Sequence, residues 1–168
     1  PAAAQRVGRL VALSPMRRIV GERMTQSKQS APHFYISMDI DMTAIAGMRN
    51  RWKQRGERTL PSINDFILSA CANTLKDFPI LNARFTQDGI EFLPEINIGM
   101  AVAFEEGLVV PVIRNADRLS LGDLAQQSRQ LTDKAQHKKL LPFVYEGGTF
   151  TVSNLRMLGV ENFIAIIN

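Results

Sequence analysis

Ser153 is the side chain best placed for chemistry in this sequence. It stands within residues 147–160, GGTFTVSNLRMLGV, where two glycines precede a short β-branched and aromatic run, Thr149, Phe150, Thr151 and Val152. That run predicts a buried strand, which delivers Ser153 and Asn154 into a turn. A hydroxyl at the end of a rigid strand can donate a hydrogen bond to an oxygen on which negative charge develops. It becomes useful only when another group handles the proton.

The candidates for that second group are few. The chain has two histidines. His33 sits between Pro32 and a predicted strand, and His137 lies on a lysine-rich helical turn. Neither has an acid at helical or turn spacing that would orient its ring, so both read as structural or surface residues. Asp39 and Asp41 alternate with apolar residues and are expected to face solvent. Cys71, the one cysteine, sits among small and apolar residues and reads as structural. The sequence contains no GxGxxG or GxxxxGK[ST] phosphate cradle, and no CxxC or HExxH, so no metal site is suggested. On the residues alone, Ser153 has no identifiable base.

The elements that must position Ser153 follow from periodicity and caps. Ser14 and Pro15 open a helix that carries Met16, Ile19, Val20 and Met24 on one face, and Ala31-Pro32 ends it. Residues 33–42 alternate strictly and predict a half-buried strand. Thr43 caps a helix with Ile45, Met48 and Trp52 on one stripe, closed by Gly56. Ser62 starts the most hydrophobic helix, with Ile63, Phe66, Ile67, Ala70, Cys71 and Leu75 as its expected buried face and Asp65 in its first turn. A hairpin is expected from residues 81–85 and 90–93 around Asp88-Gly89. One longer strand is expected over residues 97–104, a turn at Glu105, Glu106 and Gly107, and an edge or bulged strand over 108–113, which contains Pro111. Ser120 caps a helix from Leu121 to about Leu140, with Leu121, Leu124, Ala125, Ser128, Leu131 and Ala135 on one face. Lys134, Lys138 and Lys139 lie towards its end, where positive charge suits the helix dipole. Without regular βαβ alternation, this order predicts an α+β fold, a mixed sheet with helices packed on one face.

Length and composition fit one domain: 168 residues, 45% hydrophobic and 21% charged, enough to bury roughly 70% of the unfolded surface. No run reaches the ~20 apolar residues of a membrane-spanning helix, and no secretory signal pattern opens the chain. A single cysteine excludes an intrachain disulfide and fits a reducing compartment, the cytoplasm or alternatively the mitochondrial matrix. Of the net charge of +4, residues 1–30 hold six basic side chains against Glu22, a balance of +5, which leaves −1 for the rest. These residues are either a solvated basic helix or a site for an anionic partner, such as nucleic acid, an acidic protein or a phosphorylated cofactor. Aromatic residues are not interleaved with the arginines, which argues against binding single-stranded nucleic acid by stacking.

Four blocks then stand out in order: PMRRIVGERMTQSKQSAPHFYISMDIDM, SINDFILSACANTLKDFPILNARF, INIGMAVAFEEGLVVPVIRNAD and GGTFTVSNLRMLGVENFIAIIN. Together they closely resemble the catalytic domain of dihydrolipoamide acyltransferases, the core components of 2-oxoacid dehydrogenase complexes. The resemblance runs from about residue 14 to the end, with residues 1–13 as the end of a Pro/Ala linker. It implies a chloramphenicol-acetyltransferase-like fold and transfer of an acyl group between dihydrolipoamide and coenzyme A. It also implies homotrimers that assemble into a larger core, with the other complex components held through upstream domains. Coenzyme A would be a substrate, lipoamide would arrive on a separate lipoyl domain, and no metal, nucleic acid or membrane is involved. The serine of the family's SNL-type motif, which hydrogen-bonds the oxyanion, matches Ser153.

Two departures accompany the resemblance. The family's histidine base lies in an HxxxDG motif beyond the segment matching FIAIIN, and this chain has no such motif. Arg156 stands where the family commonly has glycine. Residues 163–167 form an apolar stretch expected to be a strand and to need covering, so the catalytic domain is expected to lack its C-terminal part. The chain alone is expected to be inactive, and a non-catalytic core or scaffold subunit of the same fold is the alternative.

Overall fold

The computed structural model describes residues 8, 10–57, 60–104, 107–137, 142–155 and 159–167. The chain divides into two compact units, Pro1–Asp39 with Asn162–Asn168, and Ile40–Glu161.

In the first unit, Ser14 Oγ accepts a hydrogen bond from the Arg17 amide at 3.3 Å, and Pro15 occupies the first helical position of α1 (Pro15–Ser30). Lys28 Nζ donates to the Tyr35 hydroxyl at 2.9 Å. Ser27 Oγ donates to the Ile167 carbonyl, and the Ile167 amide donates to His33 Nε2 at 3.0 Å. Two expectations fail here. No residue of α1 is buried, so its apolar stripe stays accessible. The predicted strand over residues 33–42 is not paired with any described strand, and Phe34, Ile36 and Met38 are 81%, 80% and 80% exposed. Alternation decides which side chains share a face; it does not supply a partner strand. Residues 163–167 likewise form no strand.

The second unit holds the core. Met42, not Thr43, is the N-cap of α2 (Thr43–Gln54), with no side-chain cap bond of its own, and Asp41 Oδ1 accepts from the Thr43 amide at 2.8 Å. Ile45, Met48 and Trp52 are half-buried as expected, and Trp52 stacks on Phe66 with ring centroids 6.1 Å apart. Ser62 and Asp65 form a reciprocal capping box at the start of α3 (Ile63–Asp77). The buried stripe of α3 is Asp65, Leu68, Ala72 and Leu75, while Ile67 and Ala70 are exposed. This corrects the expected face. A helix apolar on most sides does not fix its own rotation; the inward capping box and the core do.

Strands β1 (Ala83–Thr86) and β2 (Gly89–Phe92) pair as the expected hairpin. The stretch read as one strand over residues 97–104 is two strands, β3 (Ile98–Met100) and β4 (Val102–Phe104). Both face one antiparallel run in a single register, Ile98 opposite Ile113, Gly99 opposite Val112, Val102 opposite Val109 and Phe104 opposite Gly107. β4 pairs with β5 (Gly107–Val109), while β3 pairs antiparallel with β6 (Val112–Ile113) and parallel with β7 (Phe150–Val152). Val110 and Pro111 separate β5 from β6, which puts the proline at the expected interruption, and Pro111 is fully buried with its carbonyl accepting from the Met100 amide at 2.9 Å. In the three-stranded sheet β6-β3-β7, β3 is central. The helix α4 (Leu121–Gln136) buries Leu124, Ala125, Ser128 and Ala135, on the expected face. Lys138, Lys139 and Leu140 lie outside the described residues, as do Glu105 and Glu106. Leu68, Ala72, Leu75, Ile98, Met100, Ile113 and Leu124 belong to one apolar cluster, on which Phe150 and Val152 pack.

The middle of β3 tolerates no side chain. A Cβ on Gly99 would stand 2.7 Å from Val110 Cγ1 and 3.3 Å from Thr151 Oγ1. Gly99→Ala is therefore expected to lower unfolding free energy by about 1–3 kcal/mol through overpacking. Gly122→Ala, on the exposed first turn of α4, where the nearest atom is 3.8 Å away, should leave it unchanged or raise it by up to about 1 kcal/mol. Urea denaturation of the two variants measures the contrast.

Candidate active site around Ser153

Ser153 follows directly on β7 and is half-buried. Its backbone is fixed on the strand side, and a side-chain contact follows it. Before it, the Val152 carbonyl accepts from the Ala101 amide at 3.0 Å, extending the parallel ladder of Phe150, Thr151 and Val152 against Ile98, Gly99 and Met100. After it, Asn154 Nδ2 lies 3.5 Å from Asn64 Oδ1, in the first turn of α3. The Ser153 hydroxyl donates to no described residue. A fixed backbone and an uncommitted donor are what an oxyanion-binding role needs, since a prepositioned dipole costs no reorganisation when charge appears.

The start of β7 is held more tightly still. Asn97 is 3% exposed. Its Nδ2 donates to the Gly147 carbonyl and to Glu95 Oε2, both at 3.0 Å, and its Oδ1 accepts from the Asn115 amide at 2.8 Å. Its backbone amide donates to Thr149 Oγ1 at 3.0 Å, and its carbonyl accepts from the Thr149 amide at 2.7 Å. Gly147 has φ of +77°, a conformation that costs glycine little. Arg114 reaches the same segment, donating through one guanidinium nitrogen to the carbonyls of Phe143 and Glu146 at 3.2 and 3.1 Å. Sequence reasoning missed Asn97 and Arg114. The usable signal was a polar residue placed immediately before a continuous apolar strand.

His33 has both ring nitrogens engaged. The Ile167 amide can only donate, so Nε2 accepts, and Nδ1 carries the proton and donates to the Ala31 carbonyl at 2.8 Å. His137 Nδ1 lies 2.7 Å from the Asp133 carbonyl at the C-cap of α4. Backbone groups thus engage both ring nitrogens of His33 and Nδ1 of His137. Asp39 and Asp41 are exposed, and the Thr43 hydroxyl and amide hold the Asp41 carboxyl below its ordinary range. Arg156 lies outside the described residues, as do Arg6 and Arg9. Arg17 and Arg18 border an open groove along α1 that also contains Glu22, so that face is not purely cationic. Among the described residues, no three histidine, cysteine, aspartate or glutamate side chains gather as a metal site, and no helix is long and apolar enough to cross a membrane.

Comparison with known proteins bears on this geometry. Residues 6–168 match the family of 2-oxoacid dehydrogenases acyltransferase (catalytic domain). The chain is 39% identical over 163 residues to the dihydrolipoyllysine-residue acetyltransferase component of the pyruvate dehydrogenase complex from Rickettsia conorii, covering 95% of this chain and 40% of that protein. It thus spans about 40% of the length of the curated relatives it matches. An Azotobacter vinelandii dihydrolipoamide acetyltransferase, solved to investigate a serine, a histidine and an asparagine in its catalytic mechanism, superposes with a TM-score of 0.88 at 29% identity. That match covers 99% of this chain and 72% of the other. The cubic core of the pyruvate dehydrogenase multienzyme complex superposes equally, with a TM-score of 0.88 at 29% identity, over 99% of this chain and 71% of the other. The expected α+β, chloramphenicol-acetyltransferase-like fold is the one these catalytic cores share.

Cys71 packs half-buried against the core, and that desolvation raises its thiol above the ordinary range. The neutral thiol is the form the fold favours. Any stability this contributes is complete below the ordinary thiol pKa of about 8.5 and is lost as pH climbs through the raised folded value. Alkylation by iodoacetamide should accordingly rise with pH along a curve displaced above that of free cysteine, and urea should abolish the displacement. A curve that coincides with free cysteine in the folded protein would contradict the assignment.

Proposed function

Since the chain belongs to the 2-oxoacid dehydrogenase acyltransferase family, we propose that it moves an acyl group between dihydrolipoamide and coenzyme A. Ser153 is the hydrogen-bond donor to the oxyanion. The incoming thiol loses its proton to a base, and its sulfur attacks the thioester carbonyl. A new carbon–sulfur bond forms while the carbonyl oxygen takes the negative charge and accepts from Ser153 Oγ. Collapse of this tetrahedral species breaks the old carbon–sulfur bond, and the departing thiolate takes the proton back. Coenzyme A and lipoamide enter as substrates, the latter on a separate lipoyl domain.

One observation carries this reading. A hydroxyl donating to no described residue sits at the end of a strand whose register is fixed by its parallel ladder with β3. The base is not one of the two histidines of this sequence. The ring nitrogens of His33 are both committed, and His137 caps a helix. We therefore expect the 168 residues by themselves to be inactive, because the base that the family resemblance implies, the histidine of an HxxxDG motif, is not among them. Assembly as a homotrimer within a larger core, attachment of other complex components through upstream domains, and residues 1–13 as a linker end belong to the same proposal. So does a cytoplasmic location, or alternatively the mitochondrial matrix, consistent with one unpaired cysteine.

The engagement of both ring nitrogens of His33 favours one second reading, a core subunit that keeps the fold without the chemistry. Acyl transfer between acetyl-coenzyme A and free dihydrolipoamide separates the two. The native protein should turn over, and Ser153→Ala should lower its kcat by about 10²–10³ with KM little changed. A native protein that assembles without turnover would establish the scaffold instead. The 168-residue chain, assayed in parallel, should show no rate above the uncatalysed exchange.

A further inference from the structure

We propose that Asn97 is a positioning residue for Ser153, setting where the serine hydroxyl stands by locking the start of β7. The inference rests on the reading of Ser153 given above and adds a residue that acts through it.

Every polar atom of Asn97 is committed. The side chain joins Glu95 Oε2, the Gly147 carbonyl and the Asn115 amide, while the backbone exchanges hydrogen bonds with Thr149. Thr149 Oγ1 answers in kind, accepting from the Asn97 amide at 3.0 Å and lying 3.2 Å from its carbonyl. The bonded partners stand at the ends of all three strands of the sheet: Asn115 two residues after β6, Asn97 itself just before β3, and Thr149 just before β7. Asn115 has φ of +47°, a left-handed conformation that asparagine tolerates and that aims its amide at the Asn97 side chain.

Between this lock and Ser153 lies only the three-residue ladder of β7, paired without a bulge. A regular strand transmits displacement along its axis, and a register slip of one residue turns every following side chain to the opposite face. The amide is suited to the task because it is donor and acceptor at once. A carboxylate at the same place would set a negative oxygen against the Gly147 carbonyl and Glu95. An apolar residue would leave the Asn115 amide without its buried acceptor.

The test uses the native protein with acetyl-coenzyme A and dihydrolipoamide, and reads kcat and KM separately. Asn97→Asp probes the side chain but removes several bonds from the core. Thr149→Val keeps the β-branched shape and deletes only the hydroxyl that accepts from the Asn97 amide and donates to its carbonyl, so it is the variant that remains interpretable. Thr149→Val should lower kcat by about 10- to 100-fold with KM for coenzyme A changed by no more than about 2-fold, and Thr149→Ser should restore it. Combined with Ser153→Ala, the same substitution should cost less than about 3-fold, because its effect passes through the serine. An equal loss in both backgrounds, or no loss in a folded protein, overturns the positioning role. Should Ser153→Ala alone leave kcat unchanged, the reading of Ser153 itself falls, a result distinct from failure at Asn97.

Discussion

The sheet that carries the candidate serine depends on one buried amide. Hydrophobic burial draws Ile98, Ile113, Phe150 and Val152 together, but it does not say which residue of β7 faces which residue of β3. Hydrogen bonds decide that, and Asn97 supplies the ones at the origin of the ladder. A buried amide left unsatisfied costs about 1–3 kcal/mol, so each wrong register is penalised at the point where the three strands meet. The parallel pairing of β3 with β7 needs this help. Its partners lie about fifty residues apart in sequence, and a parallel ladder has no tight turn to set its register.

Much of the architecture could be read from the chain because local chemistry agreed with the final structure. Ser14, Ser62 and Ser120 each cap the helix they precede. The amphipathic α4 buries the face its spacing indicates. The hairpin falls where Asp88 and Gly89 predict it, and Pro111 marks a break between strands. The errors arose where the decisive partner is distant. The face of α3 is not legible locally because Ile67, Leu68 and Ala72 are all apolar, and only the surrounding core chooses among them. The single strand expected over residues 97–104 is interrupted opposite Pro111, which has no amide to donate, while its register against residues 107–113 stays continuous.

The site shows the same division. Ser153 was legible, since a β-branched run followed by serine and asparagine has one plausible local form, a strand ending in a turn. The fixing of that turn was not. Asn97 reads locally as a residue before a strand, and its bonds to Asn115 and Gly147 span eighteen and fifty residues. Arg114 is similar: in sequence it is a charge following β6, whereas in the fold it holds two carbonyls of the segment leading to β7. The sequence pattern therefore located the chemical group, while the groups that orient it became visible only through long-range hydrogen bonds.

The hairpin β1–β2 argues that the asparagine device is used more than once. Arg84 and Glu91 pair at 2.7 Å on one face, but both are exposed, and such a pair contributes little. The opposite face carries Phe85, 88% exposed, with Ile90 and Phe92 also accessible, so burial does not anchor the hairpin either. A two-stranded hairpin without a buried face is marginal in water. What fixes it is its open end, where the buried Asn82 donates through Nδ2 to the carbonyls of Leu93 and Glu95 at 2.9 and 3.0 Å. Glu95 is also the residue whose carboxylate receives Asn97. The short segment from Leu93 to Asn97 is thus clamped by one asparagine at each side. A disturbance of the hairpin base would reach the start of β3 through a single glutamate, and from there the ladder that ends at Ser153.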